Sequence, residues 1–204
     1  MAFTFFFRDT PILELAVNHM VPYAMGRSRI KVWDAGCAMG PEPYSLSIIL
    51  AEKMGNFSFK NLSLYATDID ETDTFGNIIK NGVYPEEELQ RMPEGIFEKY
   101  FMKSGIQGQY QIVDQIRDRL IFQKHNLLSL KSIGNDFSLI ICKNVLLHFQ
   151  YQERIEVIRM FHQSLAPGGY FATEQTQKMP KEISHLFEQV ANDGQVFKKV
   201  DHRH

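Results

Sequence analysis

The 204-residue sequence contains only two cysteines, Cys37 and Cys142, and it has no long apolar run. Two cysteines in apolar contexts do not make the disulfide framework of a small secreted domain. No apolar stretch approaches the ~18 residues of a membrane-spanning helix. The first residues also lack the charged flank and apolar core of a secretory signal. We therefore expect a cytoplasmic protein without membrane insertion.

The sequence also lacks an excess of charge of either sign, because its formal net charge is −2. Nothing general attracts such a chain to nucleic acid, so we expect no nucleic-acid partner. The histidines are not spaced as metal ligands, and we predict no metal. Hydrophobic residues make up 44% of the chain and charged residues 23%, which is ordinary for a globular domain with a full core. The length indicates one domain.

The most informative stretch is Lys31–Leu50. A short β-prone run is followed by the turn D-x-G-x-x-x-G, from Asp34 to Gly40, and then by apolar residues at helical spacing from Pro43 to Met54. Strand, glycine turn and helix are typical of a nucleotide-binding loop in an α/β sheet, and glycine lets the backbone approach a ligand closely. The turn lacks both the dinucleotide pattern and the lysine of a phosphate-binding loop. Its leading Asp favours a neutral or cationic ligand, which we interpret as S-adenosylmethionine.

A second predicted strand, Leu62–Thr67, ends at Asp68. An acidic residue at the carboxyl end of this strand can accept hydrogen bonds from both ribose hydroxyls. The alternative is that Asp68 or Asp70 caps the following helix. The spacing after the glycine turn favours the ribose interpretation.

The remaining pattern predicts an α/β fold with a doubly wound, mostly parallel sheet. Asp136–Cys142 is a continuous apolar run, as a buried central strand requires, and Gly105–Arg119 is predicted to be a small antiparallel insertion. The other predicted elements are a helix from Pro11 to about Met25, a helix over Glu71–Asn81, a largely helical Tyr84–Phe101, a strand at Leu120–Lys124, a helix over Gln152–Leu165, and strands at Tyr170–Glu174 and Val196–Val200.

Together these residues resemble the catalytic domain of the CheR family of chemotaxis-receptor glutamate methyltransferases. Thr4–Asp9 resembles the family's T-x-F-F-R-[DE] opening, and Val32–Ser45 resembles its V-W-S-A-G-C-S-T-G-E-E-P-Y-S signature. Further matches occur in the family's order at Ala66–Asp70, His125–Leu128, Cys142–Phe149 and Leu165–Gly169. The resemblance implies a Rossmann-like class I methyltransferase over residues 1–204, with 105–119 as its small β-subdomain and without the family's N-terminal helical domain.

The resemblance implies methylation of glutamate side chains on a receptor-like protein, with S-adenosylmethionine as donor and S-adenosylhomocysteine as product. It also implies that the 105–119 insertion can dock a receptor peptide by strand addition. The cofactor-binding residues that it implies are Thr4 and Arg8 at the methionine end, Gly36 and Gly40 beneath the cofactor, Glu42 near its amino group, Asp68 at the ribose, Asn126 and Leu127 beside the adenine, and Asn144 and Val145 below the sulfonium.

Several residues differ from the family pattern, among them Pro41, Lys143 and His148. Lys143 is expected at the surface near the substrate mouth. Arg8 and His148 are the candidate catalytic residues. For His148 three interpretations stay open: a donor that orients the substrate, a base for a less acidic acceptor, or a structural polar residue at a strand end. Two other functions also stay open, namely methylation of another side chain or small molecule, and cofactor-dependent signalling without catalysis.

Overall fold

The computed structural model describes residues 4–201. Ten strands and seven α-helices alternate along this part of the chain. The strands are β1 Ile30–Ala35, β2 Leu62–Asp68, β3 Val83–Pro85, β4 Phe101–Lys103, β5 Gln109–Ile112, β6 Leu120–Lys124, β7 Phe137–Cys142, β8 Leu165–Thr173, β9 Phe187–Gln189 and β10 Val196–Lys199. The helices are α1 Thr10–Ala24, α2 Pro41–Phe59, α3 Phe75–Asn81, α4 Glu86–Leu89, α5 Ile96–Tyr100, α6 Asp114–Arg117 and α7 Tyr151–Ser164.

Seven strands form the main sheet in the order β6-β2-β1-β7-β8-β10-β9. The five strands from β6 to β8 are parallel, and β10 runs antiparallel to both β8 and β9. The chain winds outward from β1 in one direction and from β7 in the other. The strand order therefore reverses between β1 and β7, and such a reversal opens a crevice at the carboxyl ends of the strands.

Alternating side chains divide the core between the two faces of this sheet. Leu139 and Ile141 of β7 belong to the cluster that contains buried residues of α1 and α2, whereas Ile140 and Cys142 belong to the cluster that contains those of α7. Successive residues of a strand point to opposite faces. An unbroken apolar strand is thus the consequence of helices on both sides, and the predicted doubly wound sheet is confirmed.

The small antiparallel sheet is wider than the predicted 105–119 insertion. Its order is β3-β5-β4, and only β5 lies within those bounds. Residues 114–117 are helical instead. The predicted boundary is wrong because an antiparallel strand needs partners, and here the partners are two three-residue strands too short to show a hydrophobic period.

Two further predictions need correction. Tyr84–Phe101 is not a largely helical segment, because it contains the end of β3 and two short helices separated by Pro93 and by Gly95 with φ 79°. The sequence pattern did not predict strand β9, Phe187–Gln189. Within residues 4–201, no helix combines the length and apolar character that crossing a membrane requires.

Candidate cofactor and acceptor site

The crevice between β1 and β7 is formed by the loops that follow these two strands. A cavity of about 390 Å³ lies there. It brings together eight of the residues singled out from the sequence. They are Thr4, Arg8, Gly36, Glu42, Asp68, Asn144, Val145 and His148.

A second cavity of about 190 Å³ shares Gly36, Asp68 and Val145 with the first. It contains the predicted adenine neighbours Asn126 and Leu127. Its wall is largely aliphatic and aromatic, as a flat heterocycle requires. The Asn126 side chain accepts a hydrogen bond from the Leu128 backbone at 2.9 Å, which fixes the turn beside this cavity.

Gly36 and Gly40 of the loop are each required for a different physical reason. A Cβ on Gly36 would lie 2.2 Å from Val145 Cγ2, and Gly36 has φ 97°. Glycine at this position therefore lets the β1 and β7 loops meet. Gly40, with φ 105°, borders neither cavity, and a Cβ there would meet Tyr84 Oη at 2.5 Å and Ile79 Cγ1 at 2.8 Å. Glycine at position 40 is thus required by packing at the start of α2, and its expected contact with the cofactor stays a prediction.

Asp70 takes the capping role that the sequence left open, whereas the ribose role of Asp68 stays a prediction. Asp70 accepts hydrogen bonds from the backbone N–H groups of Thr74 and Phe75, both at 3.1 Å, and so caps α3. Asp68 faces both cavities. Its Oδ2 accepts from Ala38 N–H at 3.0 Å and its Oδ1 from Asp70 N–H at 3.1 Å. A carboxylate has about four lone-pair sites, so two remain for a diol.

The N-terminal segment is held against the small sheet by aromatic contacts. Phe6 is 1% exposed, and its ring packs edge-on against Tyr84 at 4.9 Å and Phe101 at 5.6 Å. The backbone N–H of Phe7 donates to Ser45 Oγ at 2.8 Å. These contacts fix the next residue, Arg8, at the rim of the first cavity.

A buried group of three ionisable side chains, Lys143, Glu42 and Asp34, lies behind the glycine loop. Lys143 Nζ contacts Glu42 Oε2 at 2.7 Å, with the Lys143 side chain 0% exposed, and it donates to the Arg8 carbonyl at 3.3 Å. The Asp34 side chain is also fully buried, beside the Glu42 carboxyl. Burial, and after it the neighbouring Glu42 carboxylate, raises the pKa of Asp34 well above its usual value.

The expected surface position of Lys143 is wrong. The side chain points into the protein because Glu42, expected near the cofactor's amino group, needs a buried counter-ion. Glu42 still borders the first cavity, with one oxygen committed to Lys143. His148 lies exposed at the open side of the same cavity, at the end of a 3₁₀ turn.

Burial also raises the pKa of the Cys37 and Cys142 thiols well above their usual value. A thiolate nucleophile is therefore disfavoured at neutral pH. Among residues 4–201, no cluster of three or more histidine, cysteine or acidic side chains could hold a metal ion.

A larger cavity of about 650 Å³ adjoins the first and shares Arg8 and Asn144 with it. We call it the acceptor-side cavity. The sequence had not indicated it, because its wall combines α1 with residues that follow β8 and precede β10. Its other lining residues are Asp9, Pro11, Ile12, Glu14, Leu15, Asn18, Glu174, Gln175, Thr176 and Asp193.

The topology and the site together define a class I S-adenosylmethionine-dependent methyltransferase fold. The family model for the CheR methyltransferase SAM-binding domain matches residues 2–196. The chain therefore belongs to the CheR methyltransferase family, and S-adenosylmethionine is the cofactor that this domain binds. The predicted family, fold class and cofactor are confirmed, whereas the roles of the individual site residues stay predictions.

Two curated relatives show how far the similarity extends. Chemotaxis protein methyltransferase Cher2 of Pseudomonas putida is 32% identical over 82% of this chain and 62% of its own length. Chemotaxis protein methyltransferase 1 of Pseudomonas aeruginosa is 31% identical over 87% of this chain and 67% of its own length. This chain thus spans about two thirds of these relatives.

Among solved structures, PKMT2 of Rickettsia typhi in complex with AdoHcy aligns at TM-score 0.48 and 14% identity, over 85% of this chain and 26% of that one. The O-methyltransferase family protein of Burkholderia thailandensis aligns at TM-score 0.49 and 14% identity, over 86% of this chain and 40% of that one.

We predict that Lys143→Met lowers the free energy of unfolding by about 3–5 kcal/mol, because it leaves the buried Glu42 carboxylate without its counter-ion. For a chain of this size, this corresponds to a fall in Tm of roughly 10 °C, measurable by calorimetry. Lys143→Arg is the control, because it keeps the charge. Equal Tm values for Lys143→Met and the unmodified protein would contradict the role of this ion pair.

We also predict that Asp34→Asn stabilises the protein more at pH 8 than at pH 5. Because burial raises the Asp34 pKa, the folded state binds more protons than the unfolded state above pH ~4, and the free energy of unfolding falls as pH rises. The uncharged Asn removes this fall in the free energy of unfolding. Each kcal/mol regained raises Tm by about 2–4 °C. Exposed Asp118→Asn should follow the unmodified protein. A gain in Tm that is the same at both pH values would show that ionisation is not involved.

Proposed function

We propose that this domain methylates glutamate side chains of a chemotaxis-receptor-like protein. The observation that carries the proposal is the junction of two cavities at Arg8 and Asn144. One cavity has the lining expected for the cofactor, and the other opens on the acceptor side. The names of the two Pseudomonas relatives support the receptor pathway as the target.

The residues on the cofactor side match the chemical groups of S-adenosylmethionine. Gly36 keeps the loop free of a side chain at the junction of the two cofactor cavities, and Asp68 has lone pairs left for the ribose hydroxyls. Glu42 and Arg8 line the first cavity, and we expect Glu42 to bind the amino group and Arg8 the carboxylate of the methionine end. When bound, the cofactor supplies a methyl group already activated on a sulfonium.

The protein's own contribution is orientation and exclusion of water. A glutamate side chain, with an ordinary pKa of about 4.3, is ionised at neutral pH and needs no base to become nucleophilic. Alignment of the reacting atoms in such a site can contribute about 7–11 kcal/mol. Arg8 and Asn144, on the walls of both cavities, are the groups placed to position the acceptor beside the cofactor.

The small sheet offers an edge for the receptor chain. In the order β3-β5-β4, the outer strands each have one unpaired edge within this sheet. Met102 in β4 and Ile106 in the turn that follows it are 54% and 61% exposed. An extended peptide could add to this edge through backbone hydrogen bonds, in line with the docking that the family resemblance implies.

One observation favours a different acceptor. The acceptor-side cavity is lined by four carboxylates, Asp9, Glu14, Glu174 and Asp193, and by a single cation, Arg8. The excess of negative charge on this wall favours the binding of a hydroxyl or amine over that of an ionised carboxylate. Methylation of such a group is therefore the second candidate.

The stability of the product to base distinguishes the two candidates. With tritium-labelled methyl donor and a glutamate-rich helical receptor fragment, we expect label that mild base releases as methanol, because the product is an ester. Ethers and methylamines keep their label under the same conditions. Base-stable label would contradict glutamate as acceptor. Cofactor binding by calorimetry without methyl transfer to any protein of a bacterial lysate would favour signalling without catalysis.

We predict that Asp68→Ala weakens cofactor binding at least about tenfold, because the two ribose hydroxyls lose a charged acceptor worth 1.5–3 kcal/mol per hydrogen bond. Calorimetric titration with S-adenosylhomocysteine measures this change. Asp73→Ala, an exposed aspartate of the same loop, is the control and should bind normally. Unchanged affinity in Asp68→Ala would remove this residue from the ribose site.

A further inference from the structure

Tyr84 is a buried residue of the small sheet whose side chain contacts the loop after β1. It is the central residue of β3, and its backbone pairs with Tyr110 of β5. Its hydroxyl donates a hydrogen bond to the Met39 carbonyl at 2.9 Å. Burial raises the pKa of this hydroxyl well above its usual value, so the group stays protonated and acts as a donor. A side chain of the small sheet thus holds one carbonyl of the glycine loop.

The part of the loop that Tyr84 contacts lines the first cavity and has a strained backbone. Gly36 and Ala38 border this cavity. Ala38 has φ 49°, a left-handed conformation that residues other than glycine rarely adopt and that persists only where the surroundings enforce it. Asp68 accepts a hydrogen bond from the Ala38 N–H at 3.0 Å, and Tyr84 donates to the carbonyl of the following residue. The strained residue therefore lies between two backbone groups that side chains hold in place.

The ring of Tyr84 also contacts the N-terminal segment. The Phe6 ring packs edge-on against it at 4.9 Å. In the sequence Phe6 lies between Thr4 and Arg8, and both of these residues border the first cavity. Tyr84 thus contacts two of the segments that line the cofactor crevice, although it is not one of the lining residues itself.

We infer that Tyr84 is a positioning residue for the cofactor site, acting through the loop that carries Ala38 and the segment that carries Arg8. The hydroxyl holds the loop, and the ring holds the segment through Phe6. Without the hydroxyl the loop can leave the conformation that binds the cofactor, and the apparent affinity falls with the fraction of molecules that keep this conformation. The small sheet therefore supports the cofactor crevice in addition to offering the proposed docking edge. This role is independent of which acceptor group is methylated.

The direct test is Tyr84→Phe, which removes the hydroxyl and keeps the ring against Phe6. We expect the dissociation constant of S-adenosylhomocysteine to rise about three- to tenfold in calorimetric titration, the effect of one lost hydrogen bond. In assays with the receptor fragment, the KM for S-adenosylmethionine should rise by a similar factor. The kcat value should stay within about twofold, because the loop regains its conformation in the complex.

Tyr44→Phe is the matched control. Tyr44 is also buried, and its hydroxyl also donates to a backbone carbonyl, that of Ile79 in α3. Because Ile79 lies outside the glycine loop, this variant loses the same kind of hydrogen bond without releasing the loop. Both variants should lose about 2–4 °C in Tm. Only Tyr84→Phe should bind S-adenosylhomocysteine more weakly.

Hydrogen exchange reports on the loop in the ligand-free protein. The N–H groups of Gly36 and Cys37 donate to the Thr67 carbonyl at 2.7 Å and 3.0 Å, and that of Gly40 donates to the Cys37 carbonyl at 3.2 Å. Their exchange is slow only while the loop keeps its conformation. We expect faster exchange over residues 36–40 in Tyr84→Phe than in the unmodified protein or in Tyr44→Phe. Saturation with S-adenosylhomocysteine should remove the difference.

Unchanged affinity of Tyr84→Phe for S-adenosylhomocysteine would overturn the positioning role, as would exchange over residues 36–40 at the rate of the unmodified protein. Equally weak binding by Tyr44→Phe would overturn it too, because the loss of affinity would then follow general stability. None of these results bears on the acceptor, which the stability of the methylated product to base tests separately.

Discussion

The close approach of Gly36 to Val145 is the constraint on which the rest of the site depends. The two residues follow neighbouring parallel strands, β1 and β7, at the point where the strand order reverses. A Cβ on Gly36 would overlap Val145, so any other residue would separate the two loops. Both cofactor cavities contain this pair. The size and continuity of the cofactor crevice thus follow from one missing side chain.

A buried ion pair connects this crevice with the N-terminal segment. Lys143 contacts Glu42 at the start of α2 and the Arg8 carbonyl through the same ammonium group. Isolated buried charges are costly, and a pair is tolerated only where its hydrogen bonds are satisfied. The segment that carries Thr4 and Arg8 is therefore coupled to the glycine loop, and any movement of one requires a new partner for the other.

The sequence predicted the main sheet well, because Val32–Trp33 and Phe137–Cys142 are apolar and are followed by recognisable turns. It failed for Tyr84–Phe101, where isolated aromatic residues contact the N-terminal segment rather than repeating along a helix. It also misplaced Lys143 and missed the acceptor-side cavity. Periodicity reports which residues are buried locally, whereas a buried lysine or a cavity wall built from distant segments depends on tertiary contacts that no local pattern contains.

The cofactor half of the site depends on backbone geometry, whereas the proposed acceptor half depends on side-chain charge. The cofactor half depends on backbone geometry, namely a glycine with positive φ, a carboxylate that holds the loop through Ala38 N–H, and the aliphatic wall of the smaller cavity. Such geometry persists when side chains around it change. The acceptor half depends on side-chain charge, and its excess of carboxylates acts directly on the ionisation of whatever enters. Family membership therefore constrains the methyl donor more strongly than the acceptor. Asn144, which borders both the cofactor crevice and the larger cavity, also holds Glu174 of that larger cavity through its backbone N–H.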